Sequence, residues 1–71
     1  MTDERLMRLL GKRIQVLRET AGLTQEEMQD RGFNYRYFQK IESGTVNLTV
    51  RTLNRLAKAF RVSLVEFFQF D

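Results

Sequence analysis

The sequence contains no cysteine, no histidine and no proline. Without cysteine there can be no disulfide and no thiolate metal site. Without histidine the commonest metal ligand and the commonest general base are missing. There is no phosphate-cradling glycine-rich loop, and few acidic residues lie outside positions that helix caps would use, so no catalytic constellation can be assembled. An enzyme is not expected, and no cofactor is implied. Apolar stretches are only a few residues long, which excludes a membrane span. The N-terminus, MTDERLMRLL, is charged from the start and lacks the apolar core of a signal peptide. A cytoplasmic protein is the expectation, with no membrane partner and no evident small-molecule substrate. At 71 residues the chain should form one domain, residues 1–71, near the lower limit for folding without staples. Stability must come from an efficient helical core or from a partner subunit.

What the chain does contain is a succession of helix signals. Leu6, Leu10, Ile14 and Leu17 recur at helical spacing and predict a first helix from Thr2 or Asp3 to Ala21. Gly22 should end it as a left-handed cap, with Leu23 folding back onto the last turn. Four helix starts then share one grammar. Thr24-Gln25-Glu26-Glu27 is a capping box, flanked by Leu23 and Met28 as a hydrophobic staple. Asn34 is an N-cap between Phe33 and Phe38, and Thr49 is another between Leu48 and Leu53. Ser63-Leu64-Val65-Glu66 is a second capping box, between Val62 and Phe67. The expected fold is all-α, with five helices near 3–21, 24–31, 34–43, 49–60 and 63–68. Ile14, Leu17, Met28, Phe38, Ile41, Leu53, Leu56, Ala57, Phe60, Leu64 and Phe67 should form its core.

The net charge of +3 and pI near 9.8 say little as totals, but the distribution is uneven. Residues 24–30 carry three acids and no base. From Arg31 to Arg61 seven bases (Arg31, Arg36, Lys40, Arg51, Arg55, Lys58 and Arg61) stand against the single acid Glu42. Such asymmetry suggests a side that faces a polyanion, although a merely solvated basic surface would look the same. Residues 24–43 give two short helices with Gly32 in the tight link, the layout of a helix-turn-helix. The second of these helices has an apolar face of Phe38 and Ile41. Its other face holds Tyr35, Arg36, Gln39 and Lys40, side chains long enough to reach base edges and phosphates.

Two strings, LGKRIQVLRETAGLTQEEM and IESGTVNLTVRTLNRLAKAFRVSLVEFF, carry a more specific pattern. They combine Arg18, Leu23-Thr24-Gln25-Glu26-Glu27, Ile41-Glu42-x-Gly44 and Leu56-Ala57 at one spacing. In these features the chain resembles, over nearly its whole length, the Cro and phage-repressor (XRE-like) type of helix-turn-helix proteins. Its ending looks like that of the small dimeric controller proteins of restriction–modification systems. The resemblance implies a compact five-helix bundle of the lambda-repressor-like DNA-binding type. It implies a sequence-specific transcriptional regulator whose partner is double-stranded DNA, bound by a dimer at a palindromic operator. One departure stands out. Between Thr24 and Glu42 the chain is one residue shorter than the family pattern, and Gln29 replaces the small residue that usually follows Met28. The turn should therefore be tightened or the second helix shortened, with Phe33 filling the lost apolar position.

The resemblance also implies roles for individual residues. Gln25, at the start of the second helix, would bond a DNA phosphate; otherwise it is an ordinary exposed helix-start glutamine. Asn34 opens the recognition helix on the DNA side, and Tyr35 and Arg36 follow it into the groove, with Gln39 and Lys40 one turn later. Arginine to guanine and glutamine to adenine are chemically natural pairs. Tyr37 would contact phosphate or pack beside Phe38. Ser43, Thr45 and Asn47 would contact the DNA backbone or be ordinary loop polarity, and Arg51 would add charge beside the same strand. Arg18 and Glu42 would form a partly buried structural ion pair that sets the angle of the reading helix.

The C-terminal VSLVEFFQFD holds more apolar side chains than one short helix can bury. It predicts a homodimer through this aromatic segment, around Phe68 and Phe70. The same surplus also supports an alternative, a protein-interaction module such as an antitoxin or bridging factor built on this fold.

Overall fold

Thr2 starts the first helix, its hydroxyl accepting the Arg5 N–H at 3.1 Å. The computed structural model describes residues 1–70. Five helical segments follow one another: α1 (Asp3–Thr20), the 3-10 helix η1 (Glu26–Arg31), α2 (Tyr35–Ser43), α3 (Val50–Phe60) and the 3-10 helix η2 (Leu64–Phe68). The all-α architecture is the one expected. Only three of the five segments are α-helices, however, because η1 and η2 wind more tightly.

Each boundary has a local cause. Gly22 turns left-handed after α1 (φ +78°), and the Leu23 N–H reaches back to the Arg18 carbonyl at 3.1 Å. The Thr24 box is reciprocal: the Glu27 N–H donates to the Thr24 hydroxyl at 3.1 Å, and the Thr24 N–H donates to the Glu27 carboxylate at 2.9 Å. Asn34 Oδ1 accepts the Tyr37 N–H at 3.0 Å and starts α2, and the Thr49 hydroxyl accepts the Thr52 N–H at 3.1 Å and starts α3. The Ser63 N–H donates to the Glu66 carboxylate at 3.0 Å at the start of η2.

The tight winding of η1 answers the short connection. A 3-10 helix rises about 2.0 Å per residue against about 1.5 Å in an α-helix. Six residues of the former therefore cover about the length of eight of the latter. Phe33 is buried just beyond it, with its ring edge-on to Phe38 at 5.9 Å.

The core comprises Leu10, Ile14, Leu17, Met28, Phe33, Phe38, Ile41, Leu53, Leu56, Ala57, Phe60 and Phe67. One expectation needs correction: Leu64 is 39% exposed, because η2 turns Phe67 inward instead. The buried stripe of α1 begins at Leu10, with Leu6 outside it. α1 packs against both α2 and η2. A Cβ on Gly11 would lie 2.6 Å from the Glu42 carbonyl oxygen and 2.7 Å from that of Ile41, so the α1–α2 contact is backbone against backbone. Arg13 Nε donates to the Glu66 carbonyl at 2.7 Å and pins η2 to α1. Arg55 Nη2 donates to the Gly32 carbonyl at 2.8 Å while its guanidinium lies 4.4 Å over the Phe33 ring, tying α3 to the turn.

Candidate nucleic-acid interface

α2 is two-faced because of its spacing. Phe38 and Ile41 point into the core, while Arg36, Gln39, Lys40 and Ser43, at i, i+3, i+4 and i+7, share the opposite face. These four side chains line one shallow surface concavity. Tyr37 is exposed beside that face, and Tyr35 is partly buried on its other side. The Tyr35 hydroxyl donates to Glu26 at 3.3 Å. Desolvation and the neighbouring Glu26 charge raise the phenol above its ordinary value, which keeps it protonated and a donor.

The angle of this helix is held from beneath. Arg18 Nε donates to Glu42 Oε2 at 2.6 Å and Nη2 donates to Oε1 at 3.3 Å, a two-pronged bridge with side chains 9% and 5% exposed. The third arm, Nη1, donates to the Leu23 carbonyl at 2.7 Å. Gln25 Nε2 completes the cluster by donating to Glu42 Oε1 at 2.8 Å. The hydrogen bond to Glu42, outweighing desolvation, raises the Arg18 guanidinium above its usual value. One carboxylate thus joins the end of α1, the entry to η1 and the last turn of α2.

The far end of α2 is closed differently. Gly44 is left-handed (φ +77°), and a Cβ there would lie 2.7 Å from Arg8 Cα, so the chain passes α1 at backbone distance. The Ser43 and Thr45 hydroxyls both turn onto the Lys40 carbonyl, at 3.0 and 3.3 Å, and lie 3.0 Å from each other. Asn47 is exposed in the loop and Arg51 is exposed in the first turn of α3. Asn34 uses its carbonyl as the cap, which leaves its amide N–H groups as donors at the N-terminus of α2. Among the described residues no group of three acidic, histidine or cysteine side chains is placed to hold a metal ion, and no helix is long and apolar enough to cross a membrane.

This geometry has relatives. Residues 9–67 match the family described as "Helix-turn-helix domain". The chain belongs to the helix-turn-helix family. Its type is the XRE-like one of Cro and the phage repressors, a DNA-binding fold of transcription regulators. The chain is 45% identical over 62 residues to an uncharacterized HTH-type transcriptional regulator, y4dJ, of Sinorhizobium fredii (strain NBRC 101917 / NGR234), covering 86% of this chain and 80% of the relative. The structure is similar to the crystal structure of the restriction–modification controller protein C.AhdI from Aeromonas hydrophila. The TM-score is 0.81 at 28% identity, over 87% of this chain and 96% of that one.

Within the helix-turn-helix the structure brings Arg36, Gln39, Lys40 and Ser43 onto one face. It holds Gln25 in the Arg18–Glu42 cluster and Tyr35 against Glu26, each with one hydrogen bond inside the protein. Sequence reasoning missed Gly11 and Arg55, which position α2 and the turn before it. A glycine inside a helix does hint at close backbone approach. Nothing local marks Arg55, whose partners Gly32 and Phe33 lie more than twenty residues away.

Proposed function

We propose that the chain is a sequence-specific transcriptional regulator that lays α2 in the major groove of double-stranded DNA. It acts as one domain and binds as a homodimer to a palindromic operator. The supporting observation is the shared, exposed face of Arg36, Gln39, Lys40 and Ser43 on a helix anchored from below by Glu42 and Gly11. Rigid presentation matters, because base readout requires donors held in fixed register against the groove. Arg36 and Gln39 read bases. Asn34, Tyr37, Lys40, Ser43, Thr45, Asn47 and Arg51 surround them with donors and charge suited to phosphates. Tyr35, propped by Glu26, stands at the leading edge of the helix. Gln25 keeps one N–H on Glu42 and offers the other to a phosphate.

The test is binding of alanine variants to a panel of single-base operator variants at fixed salt, the operator having been selected from a random DNA pool. Arg36→Ala and Gln39→Ala should each cost about 1–3 kcal/mol and relax preference at one base pair. Gln25→Ala should weaken all sequences nearly equally, and Lys58→Ala should change little. If Arg36→Ala lowers affinity uniformly, Arg36 is a phosphate contact and readout rests elsewhere. An absence of salt-sensitive binding to any duplex would favour a protein-interaction module instead.

A further inference from the structure

We propose that the outer flank of α1, through Arg5, Arg8 and Lys12, is a second DNA-contacting surface that holds the phosphate backbone beside the groove in which α2 lies. The proposal rests on the DNA-binding reading above and adds to it an element outside the helix-turn-helix.

Contact between α1 and the loop after α2 places this surface. The exposed face of α2 ends at Ser43. At the next residue a Cβ would lie 2.7 Å from Arg8 Cα and 2.9 Å from both the Arg8 nitrogen and the Met7 carbonyl oxygen. Only glycine lets the chain pass so close, and Arg8 therefore leaves α1 beside the Ser43–Thr45 loop. Arg5 and Lys12, three before and four after Arg8, continue its stripe, and all three side chains are exposed. The Lys12 ammonium lies 3.5 Å from Gln15 Oε1. Gln15 follows Gly11 by one turn, on the side of α1 that meets α2, so Lys12 inclines towards α2.

Positive charge on α1 is sorted by side. Arg13, towards η2, spends its Nε on the Glu66 carbonyl, and Leu6 and Val16, seven before and three after it, leave that side apolar. Arg18 is bound to Glu42. Arg5, Arg8 and Lys12 remain, and among the described residues none of them forms an ion pair. Asp3 shares the face of buried Leu10, seven residues on, so from residue 4 to residue 12 Glu4 alone stands against the three bases. The N-terminal half of a helix carries the positive end of its dipole, which adds to the stripe. Arg36 and Lys40 on the exposed face of α2 are also free of ion pairs. One sign of charge thus runs from α2 across Gly44 to α1. From Arg5 to Lys12 the stripe is about 10 Å long, at about 1.5 Å of rise per residue. Phosphates of one strand succeed each other at about 3.4 Å of helix rise, so the stripe spans roughly two or three of them. Long, unanchored cations suit phosphates, which fix affinity and register without choosing bases.

The experiment measures DNA binding against salt for the full chain and for Arg8→Gln, Lys12→Gln and Lys58→Gln, with the operator duplex selected from a random pool. Each of the first two variants should flatten the slope of log K against log salt by about one. Each should also weaken binding about five- to tenfold at about 0.1 M salt. The loss should be equal for every single-base variant of the operator, and Lys12→Arg should keep the slope of the unchanged chain. Lys58→Gln should leave it as it was. All three positions are exposed, so the thermal midpoints should not move. An unchanged slope in Arg8→Gln and Lys12→Gln, a change no larger than that of Lys58→Gln, or a loss confined to one base pair would each overturn the contact. Any of these results, with salt-sensitive binding by the unchanged chain, leaves the role of α2 standing. An unchanged chain that binds no duplex sinks both proposals.

Discussion

Glu42 is the residue on which most of the helix-turn-helix geometry converges. Its carboxylate accepts from Arg18 twice and from Gln25 once, in a nearly water-free position. A buried pair adds little net stability over well-packed apolar groups, but removing one partner strands the other. Glu42→Ala should therefore cost about 3–5 kcal/mol, a large share of the stability of a domain this small. Exposed Glu26→Ala should cost far less. The double variant Arg18→Met with Glu42→Leu should recover much of the loss, since no charge is then left unpaired. Denaturant midpoints of the four chains decide it. Equal shifts for Glu42→Ala and Glu26→Ala would show that the pair does not hold the fold. The pairing was legible in the sequence only through the family resemblance. That Gln25 and the Leu23 carbonyl join it was not, because neither lies within a helical repeat of Glu42.

At the scale of elements, the contact between α1 and α2 sets how far the exposed face of α2 stands out. It depends on the absence of one methyl group. Alanine at position 11 would press against the carbonyl oxygens of Ile41 and Glu42, which are backbone and cannot swing away. Gly11→Ala gains helix propensity of at most about 1 kcal/mol. Overpacking costs about 1–3 kcal/mol, so the variant should be destabilised on balance. It should also bind DNA less tightly, because α2 must shift; thermal unfolding and operator titration would show both effects.

The start of η1 carries a pH dependence. The Thr24 N–H and hydroxyl hold the Glu27 carboxyl below its usual value. A depressed carboxyl stabilises the fold above its unfolded pKa, about 4.3, and that contribution is lost as pH falls through the lower folded value. The unchanged chain should be more stable than Glu27→Gln at neutral pH, and the two should converge in acid. Denaturation at the two pH values measures this. A gap that persists in acid would mean that the cap does not act through its charge.

On the scale of the whole molecule, the C-terminus leaves an apolar surface uncovered. Phe67 is buried, whereas Phe68 is 48% and Val65 62% exposed, alongside Leu64. The Phe68 and Phe70 rings lie 6.5 Å apart and extend the same patch. Contiguous exposed apolar surface usually marks an interface, and two-fold pairing is the commonest way for a small protein to cover it. Sedimentation at tens of micromolar should give about twice the 8.5 kDa chain mass, and Phe68→Ser should lower it. A monomer in both cases would rule out this interface. Because a palindromic operator needs two reading helices in fixed relation, loss of the dimer should also weaken operator binding more than binding to a half-site.

The sequence by itself determined where helices begin and end and which face of α2 is apolar. Caps and periodicities act over three or four residues, so Thr24, Asn34 and Thr49 announce their roles without the rest of the chain. Only the tertiary structure decided that η1 winds as a 3-10 helix, since its pitch depends on the distance between anchors set by α1 and α2. It likewise decided that Phe67 rather than Leu64 enters the core, and that Gly11 and Arg55 position α2 and the turn before it. Those outcomes depend on which surfaces meet across twenty or more residues, and no local pattern contains that information.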